Sequence, residues 1–238
     1  MDNGPSAVKY LLVTTTGPAA EHQGEMFGLY RLAGTHNGAP YYVQLHDINT
    51  REEPGKIYKY KDGGWRAGDV LGGAGRGLQN SSNTAAVPET GRRYHYGGGV
   101  WLDDAGIRVT RVEDISPLLC GTITISATGE AARVRADCMG QFQPTGQFSA
   151  GRQVFHNQRT DKYLSVSLGD VDWDVRDSVD NVAGVASGCA PGLCPALRRA
   201  AVRRHRSNIK SWQYCDNDNS WHDAEITVKC SVHSNNTP

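Results

Sequence analysis

Leu29-Tyr30-Arg31-Leu32-Ala33-Gly34-Thr35-His36-Asn37-Gly38-Ala39-Pro40-Tyr41-Tyr42 is the stretch whose reading decides the fold. Apolar residues flank Asn37-Gly38, a dipeptide suited to a two-residue turn in which both positions take a positive φ. The stretch reads as strand, turn, strand. A weaker copy follows at Gln141-Phe142-Gln143-Pro144-Thr145-Gly146-Gln147-Phe148-Ser149-Ala150-Gly151-Arg152-Gln153-Val154-Phe155, where Ala150-Gly151 stands in for the turn.

Landmarks on either side recur in the same order. Thr14-Thr15-Thr16-Gly17-Pro18-Ala19-Ala20 matches Ser126-Ala127-Thr128-Gly129-Glu130-Ala131-Ala132, and Gly28, Tyr30 and Gly34 match Gly140, Phe142 and Gly146. One inserted residue later, Tyr41-Tyr42 meets Val154-Phe155. Lys56-Ile57-Tyr58 then meets Lys162-Tyr163-Leu164, Trp65 meets Trp173, and Tyr96 with Trp101 meets Tyr214 with Trp221. Such an order over a hundred residues points to an internal duplication, with one module over 8–112 and a second over 120–231.

The local signals are those of strands. Residues 39–45, 56–60, 106–111 and 225–230 alternate apolar and polar side chains, which buries one face of a strand. The 28 glycines and the Asp62-Gly63 pair supply tight turns. The expected fold is all-β: two tandem, duplicated antiparallel β-sandwich or barrel-like modules, each with roughly six or seven strands. Pro195–Arg206 breaks the pattern. Proline suits a first helical turn, and alanine, leucine and arginine favour helix, so the second module is expected to carry one short helical insertion there.

Charge is balanced, with 25 basic and 25 acidic residues. No overall field therefore favours nucleic acid as a partner. No apolar run is long enough for a membrane-spanning helix, and the first residues lack the basic and apolar regions of a signal peptide. All 6 cysteines lie after residue 119. They suit three disulfides or six thiols, and their spacing leaves the pairing open. The compartment stays open with it: extracellular if the cysteines pair, cytoplasmic otherwise.

Several groups stand out as candidates for a site. Trp65, Trp101, Trp173 and Trp221 occupy matching positions, which marks packing first and a stacking surface for a ligand second. His36 sits near the turn of the opening hairpin, and His95 and His222 flank the later tryptophans. Asp170, Asp172 and Asp174 alternate around Trp173 and would share one strand face, where like charges need solvent or a cation. No cofactor is otherwise implied, and calcium is the ion such oxygen ligands would suit. Arg199, Arg203 and Arg206 would line one face of the expected helix and could take an anion. No Gly-x-Ser-x-Gly, His-Glu-x-x-His or phosphate-loop motif is present.

The run from Tyr30 to Tyr42, then Ile57-Tyr58, Trp65 and Trp101, resembles a repeat found in uncharacterised proteins of marine invertebrates and protists. The resemblance spans about residues 27–104 and, faintly, the matching part of the second module. It implies a small repeated β module and no activity. The expectation is a non-catalytic binding module for a glycan or protein ligand, displayed on the loops of a β scaffold. The alternative is a polysaccharide-acting hydrolase or lyase with histidine and aspartate as acid and base.

Overall fold

The computed structural model describes residues 8–47, 53–73, 77–80, 88, 93–166, 173–178, 197–200, 211–216 and 220–231. The first module is built from β1 (Tyr10–Thr14), β2 (Gly28–His36), β3 (Ala39–Gln44), β4 (Lys56–Lys59), β5 (Trp65–Gly68), β6 (Leu78–Asn80), β7 (Arg93–Gly97), β8 (Val100–Asp103) and β9 (Arg108–Val112). The second follows with β10 (Thr122–Ala127), β11 (Gly140–Ser149), β12 (Arg152–Asn157), β13 (Lys162–Val166), β14 (Trp173–Arg176), β15 (Leu197–Ala200), β16 (Ser211–Cys215), β17 (Trp221–Ala224) and β18 (Ile226–Ser231).

Each sheet is an antiparallel meander. The hydrogen-bonded order is β8-β7-β6-β5-β4-β3-β2-β1-β9 in one and β17-β16-β15-β14-β13-β12-β11-β10-β18 in the other. Only β8 and β9, and likewise β17 and β18, are consecutive in sequence yet lie at opposite ends of their order. Laid flat, the outer strands of such a sheet would lie about 38 Å apart at the usual strand spacing. Residues 104–107 joining β8 to β9 reach at most roughly 18 Å, and only Glu225 joins β17 to β18. Both sheets must therefore curl until their ends approach. Both modules are thus curled, barrel-like sheets, with no ladder between β8 and β9 or between β17 and β18 among the described residues.

Alternation fills each interior. Leu11, Val13, Tyr30, Tyr42, Ile57, Trp65 and Ile107 form one core, and Ile123, Ile125, Phe142, Phe155, Leu164, Val175 and Trp212 form a separate one. Each fully buried side chain of this kind contributes roughly 1.5–3 kcal/mol. The modules have two cores, not a shared one.

Pairing corrects the alignment of the modules in two places. Tyr42 faces Ile57, and Phe155 faces Leu164. Ile57 therefore corresponds to Leu164 rather than Tyr163, and both are buried. A one-residue slip in a strand exchanges its two faces, so pairing overrides the match of lysines. Likewise Trp101 faces Tyr96 and Trp221 faces Cys215, so Tyr214 takes the place of His95. Nine strands per module exceed the expected six or seven because pieces as short as β6 leave no readable alternation.

The expected helix at Pro195–Arg206 is not formed where the chain is described. Residues 197–200 instead make β15, antiparallel to both β14 and β16. The sheet needs a strand between those two, and tertiary pairing outweighs intrinsic helix preference, which is under 1 kcal/mol per residue. The helices among the described residues are short: α1 (Ala19–His22) after β1, and α2 (Gly129–Val134) after β10. The first is capped from afar. Asp104, in the turn that closes the barrel, accepts the Ala19 backbone N–H at 2.8 Å and that of Gly106 at 2.8 Å.

Among the described residues a disulfide, Cys120–Cys230, ties the start of the second module to its last strand, and Cys215 is disulfide-bonded as well. Cys138 is a buried free thiol whose pKa burial pushes up. Cys189 and Cys194 lie outside the described residues. No helix among the described residues is long and apolar enough to cross a membrane.

Candidate functional site

The opening hairpin and its counterpart have parted company. Asn37 and Gly38 form an exposed turn with φ of 50° and 71°, and the Asn37 amide donates to the Lys59 carbonyl. Ala150 and Gly151 keep the same turn at 46° and 70°, yet both are buried. Their tip is docked on the first module. The Leu29 N–H donates to the Gly151 carbonyl at 2.9 Å, and the Gly151 N–H donates to the Leu45 carbonyl at 2.8 Å. Beside them, the Asp47 N–H donates to the Phe148 carbonyl, and the Phe148 N–H donates to the Asp47 carboxylate. The approach is close enough that a Cβ on Gly28 would lie 2.8 Å from the Gly151 carbonyl oxygen.

Where the docked hairpin meets β1, β2 and the linker, a cleft of about 480 Å³ remains open. Phe27, Leu29, Leu118, Phe148, Phe155 and Trp173 supply much of its wall. Gln153 fixes the linker: its side-chain oxygen accepts the Cys120 N–H at 2.7 Å, and its amide donates to the Cys120 carbonyl. Arg152 is the one charged side chain among the described lining residues. Burial holds its guanidinium below the usual arginine range, opposed by the nearby Tyr30 phenol. Its Nη1 is buried with no hydrogen-bond partner among the described residues. Among the described residues no aspartate, glutamate or histidine lines the cleft.

The residues singled out from sequence do not converge. Trp173 reaches the cleft and packs on Phe155 with ring centroids 6.5 Å apart. Trp65 is only 2% exposed, inside the first barrel against a cavity of about 30 Å³. Trp101 is half-buried and edge-on to Tyr96; Trp221 is half-buried at the far side of the second sheet's order. His36 sits edge-on to Tyr58. His222 is exposed, 2.6 Å from the Asp216 carboxylate and tilted over Tyr214. Arg199 lies in β15, opposite Trp212 in register, and so not on a helical face. Arg203, Asp170 and Asp172 lie outside the described residues. Asp174 is buried and paired with Arg176. Among the described residues no group of three or more histidines, cysteines or carboxylates is placed to hold a metal ion.

A second buried polar group lies in the first barrel. His95 is fully buried, with both ring nitrogens lacking hydrogen-bond partners among the described residues. His22 of α1 stacks on it at 5.4 Å, and Asp104 lies 3.7 Å from its Nδ1. Burial lowers the His95 pKa, with Asp104 opposing and His22 adding to the shift. Asp104 is committed to capping α1, so the group secures the barrel's end.

Sequence reasoning overlooked Arg152 and the docking itself. Two signs were there: the inserted residue that makes β11 longer than β2, and the exchange of Asn37 for Ala150 at a turn that keeps its glycine. Comparison with protein-family models, with curated proteins and with solved structures gives no match.

Proposed function

We propose that this chain is a non-catalytic binding module whose ligand lies in the cleft between the two barrels. The observation that carries the reading is the cleft itself. Its volume of about 480 Å³ falls in the range of small-ligand sites, which are mostly apolar with a few placed polar groups. A glycan would offer one ring to the aromatic wall, and a protein ligand would offer a few apolar side chains. The shared strand order supports reading the modules as duplicated units, with the unshared docking contacts as the part specific to this chain. The Cys120–Cys230 bond favours an oxidising, extracellular setting.

The second reading, a polysaccharide-acting hydrolase or lyase, draws on the His222–Asp216 pair. That pair is exposed, whereas acid–base chemistry on a sugar needs two groups flanking a bound bond, and the described residues of the cleft supply neither.

Thermal-shift screening of glycans and small apolar compounds tests the proposal on the wild type and on Leu119→Trp, which fills the cleft. A ligand should raise the wild-type melting temperature as its concentration passes its Kd and leave the variant unmoved. Equal shifts in both proteins, or no shift with any compound, refute it.

A further inference from the structure

Arg152 poses a question that packing does not answer. It opens β12 immediately after the docked turn, and it is among the residues that line the cleft. Buried arginines are ordinarily paired, because an ion taken out of water loses several kcal/mol of solvation unless a counter-charge and hydrogen bonds replace it. Here Nη1 is buried and unpartnered. The titratable group that acts on the guanidinium is the Tyr30 phenol, which is uncharged, since burial raises its pKa and its hydroxyl donates to the Met26 carbonyl at 2.8 Å. Among the described residues no carboxylate is one of the groups that shift it.

Among the described residues no carboxylate meets the guanidinium, and the surroundings narrow the kind of counter-charge that would. Gln153 is occupied by the Cys120 backbone, which leaves Arg152 as the cationic donor among the described lining residues. Thr14 and Thr15 add two hydroxyls, and most of the remaining described lining is hydrocarbon and aromatic ring. A planar guanidinium fork matches a two-oxygen anion.

We infer that Arg152 is the anion-recognition residue of the cleft, and that the ligand is a small amphipathic anion: a compact apolar or aromatic body carrying one carboxylate or sulfo group. The inference rests on the binding reading above and names its ligand class. The apolar body lies against Phe27, Phe148 and Trp173, and the anion satisfies the arginine. A protein epitope is the poorer fit, since a stable protein interface covers about 800 Å² on each partner, far more than this cleft offers.

Two dyes of nearly the same aromatic skeleton test it: anilinonaphthalene sulfonate, which is anionic, and phenylnaphthylamine, which is neutral. Both are titrated by fluorescence against the full chain. The wild type should bind the sulfonate saturably, with Kd rising as salt is added. Arg152→Met keeps the length of the side chain and removes the charge. It should weaken sulfonate binding about tenfold or more, the loss of one charge-assisted contact, and leave phenylnaphthylamine within about twofold. Arg152→Lys should fall between. Leu119→Trp should abolish both, which places the dyes in the cleft. If both dyes bind and Arg152→Met changes neither or both alike, the anion site is refuted and the cleft stands. If neither dye binds the folded wild type, the cleft reading falls as well. Should Arg152→Met not fold by circular dichroism, the salt dependence and the ratio of the two dyes on the wild type decide the matter.

Discussion

Gly151 and Gly38 provide a matched pair of perturbations. They occupy corresponding turn positions with φ of 70° and 71°. An alanine at either would pay the same backbone cost, about 1–2 kcal/mol for a left-handed conformation. Their surroundings differ completely. A Cβ on Gly38 meets nothing within 4 Å, whereas one on Gly151 would lie 2.6 Å from the Leu29 nitrogen and 3.0 Å from Gly28. Those are backbone atoms and cannot rotate aside, so Gly151→Ala must lift the hairpin off the first module. The hydrogen bonds of Leu29 and Gly151 are then exchanged for bonds to water, at a net loss of about 0.5–1.5 kcal/mol each. With part of the Asp47–Phe148 pair lost too, Gly151→Ala should cost about 2–3 kcal/mol more than Gly38→Ala. Urea unfolding followed by circular dichroism gives both values. Small-angle scattering should show the undocked chain lengthened and the Gly38→Ala chain unchanged. Equal costs for the two variants, or an unaltered scattering profile for Gly151→Ala, would falsify the docking contact.

Two further outcomes follow from the structure. Cys120 and Cys230 close a segment with a sequence separation of 110; loop-closure entropy sets the value of such a bond at about 4–5 kcal/mol, so Cys120→Ser with Cys230→Ser should lower the melting of the second module and spare the first, and calorimetry finding both transitions unmoved would contradict the bond. His95 and His46 both have pKa values lowered chiefly by burial, and the His46 Nδ1 accepts the Ala150 N–H of the docked turn. Their neutral forms are kept by the fold while the unfolded chain takes up protons near pH 6.5. Stability from these groups is thus complete above about pH 6.5 and is lost as pH falls below it. The melting temperature should drop between pH 7.5 and 5 by less in His95→Leu, with His46→Asn, than in the wild type; an identical pH slope in the variants would argue against this origin.

The all-β, two-module architecture was legible because Asn37-Gly38, the alternating runs and the glycine spacing all speak the same local language. Trp65 was legible as packing for the same reason: a large ring at an inward position of a strand has one place to go. What escaped was everything set by distant contacts. Leu197–Ala200 carries helix-favouring residues, and only the gap between two other strands makes it a strand. Arg152 looks like any polar residue after a turn until the turn is seen docked, and a hairpin that loses its asparagine looks degraded when it has become a joint. The cap on α1 comes from Asp104, whose role no window of neighbouring residues could display.

Barrel closure has a consequence for how such a unit can be handled. Tyr10 pairs with Val112 and Thr122 with Ser231, so each module admits and releases the chain at adjacent points on one edge. A unit built this way resembles a bead with its two threads leaving side by side. Such closely spaced ends let it be spliced into an exposed loop of a host with little strain there. Joining the old ends and opening the chain at the exposed Asn37–Gly38 turn should likewise leave the first barrel's pairing intact.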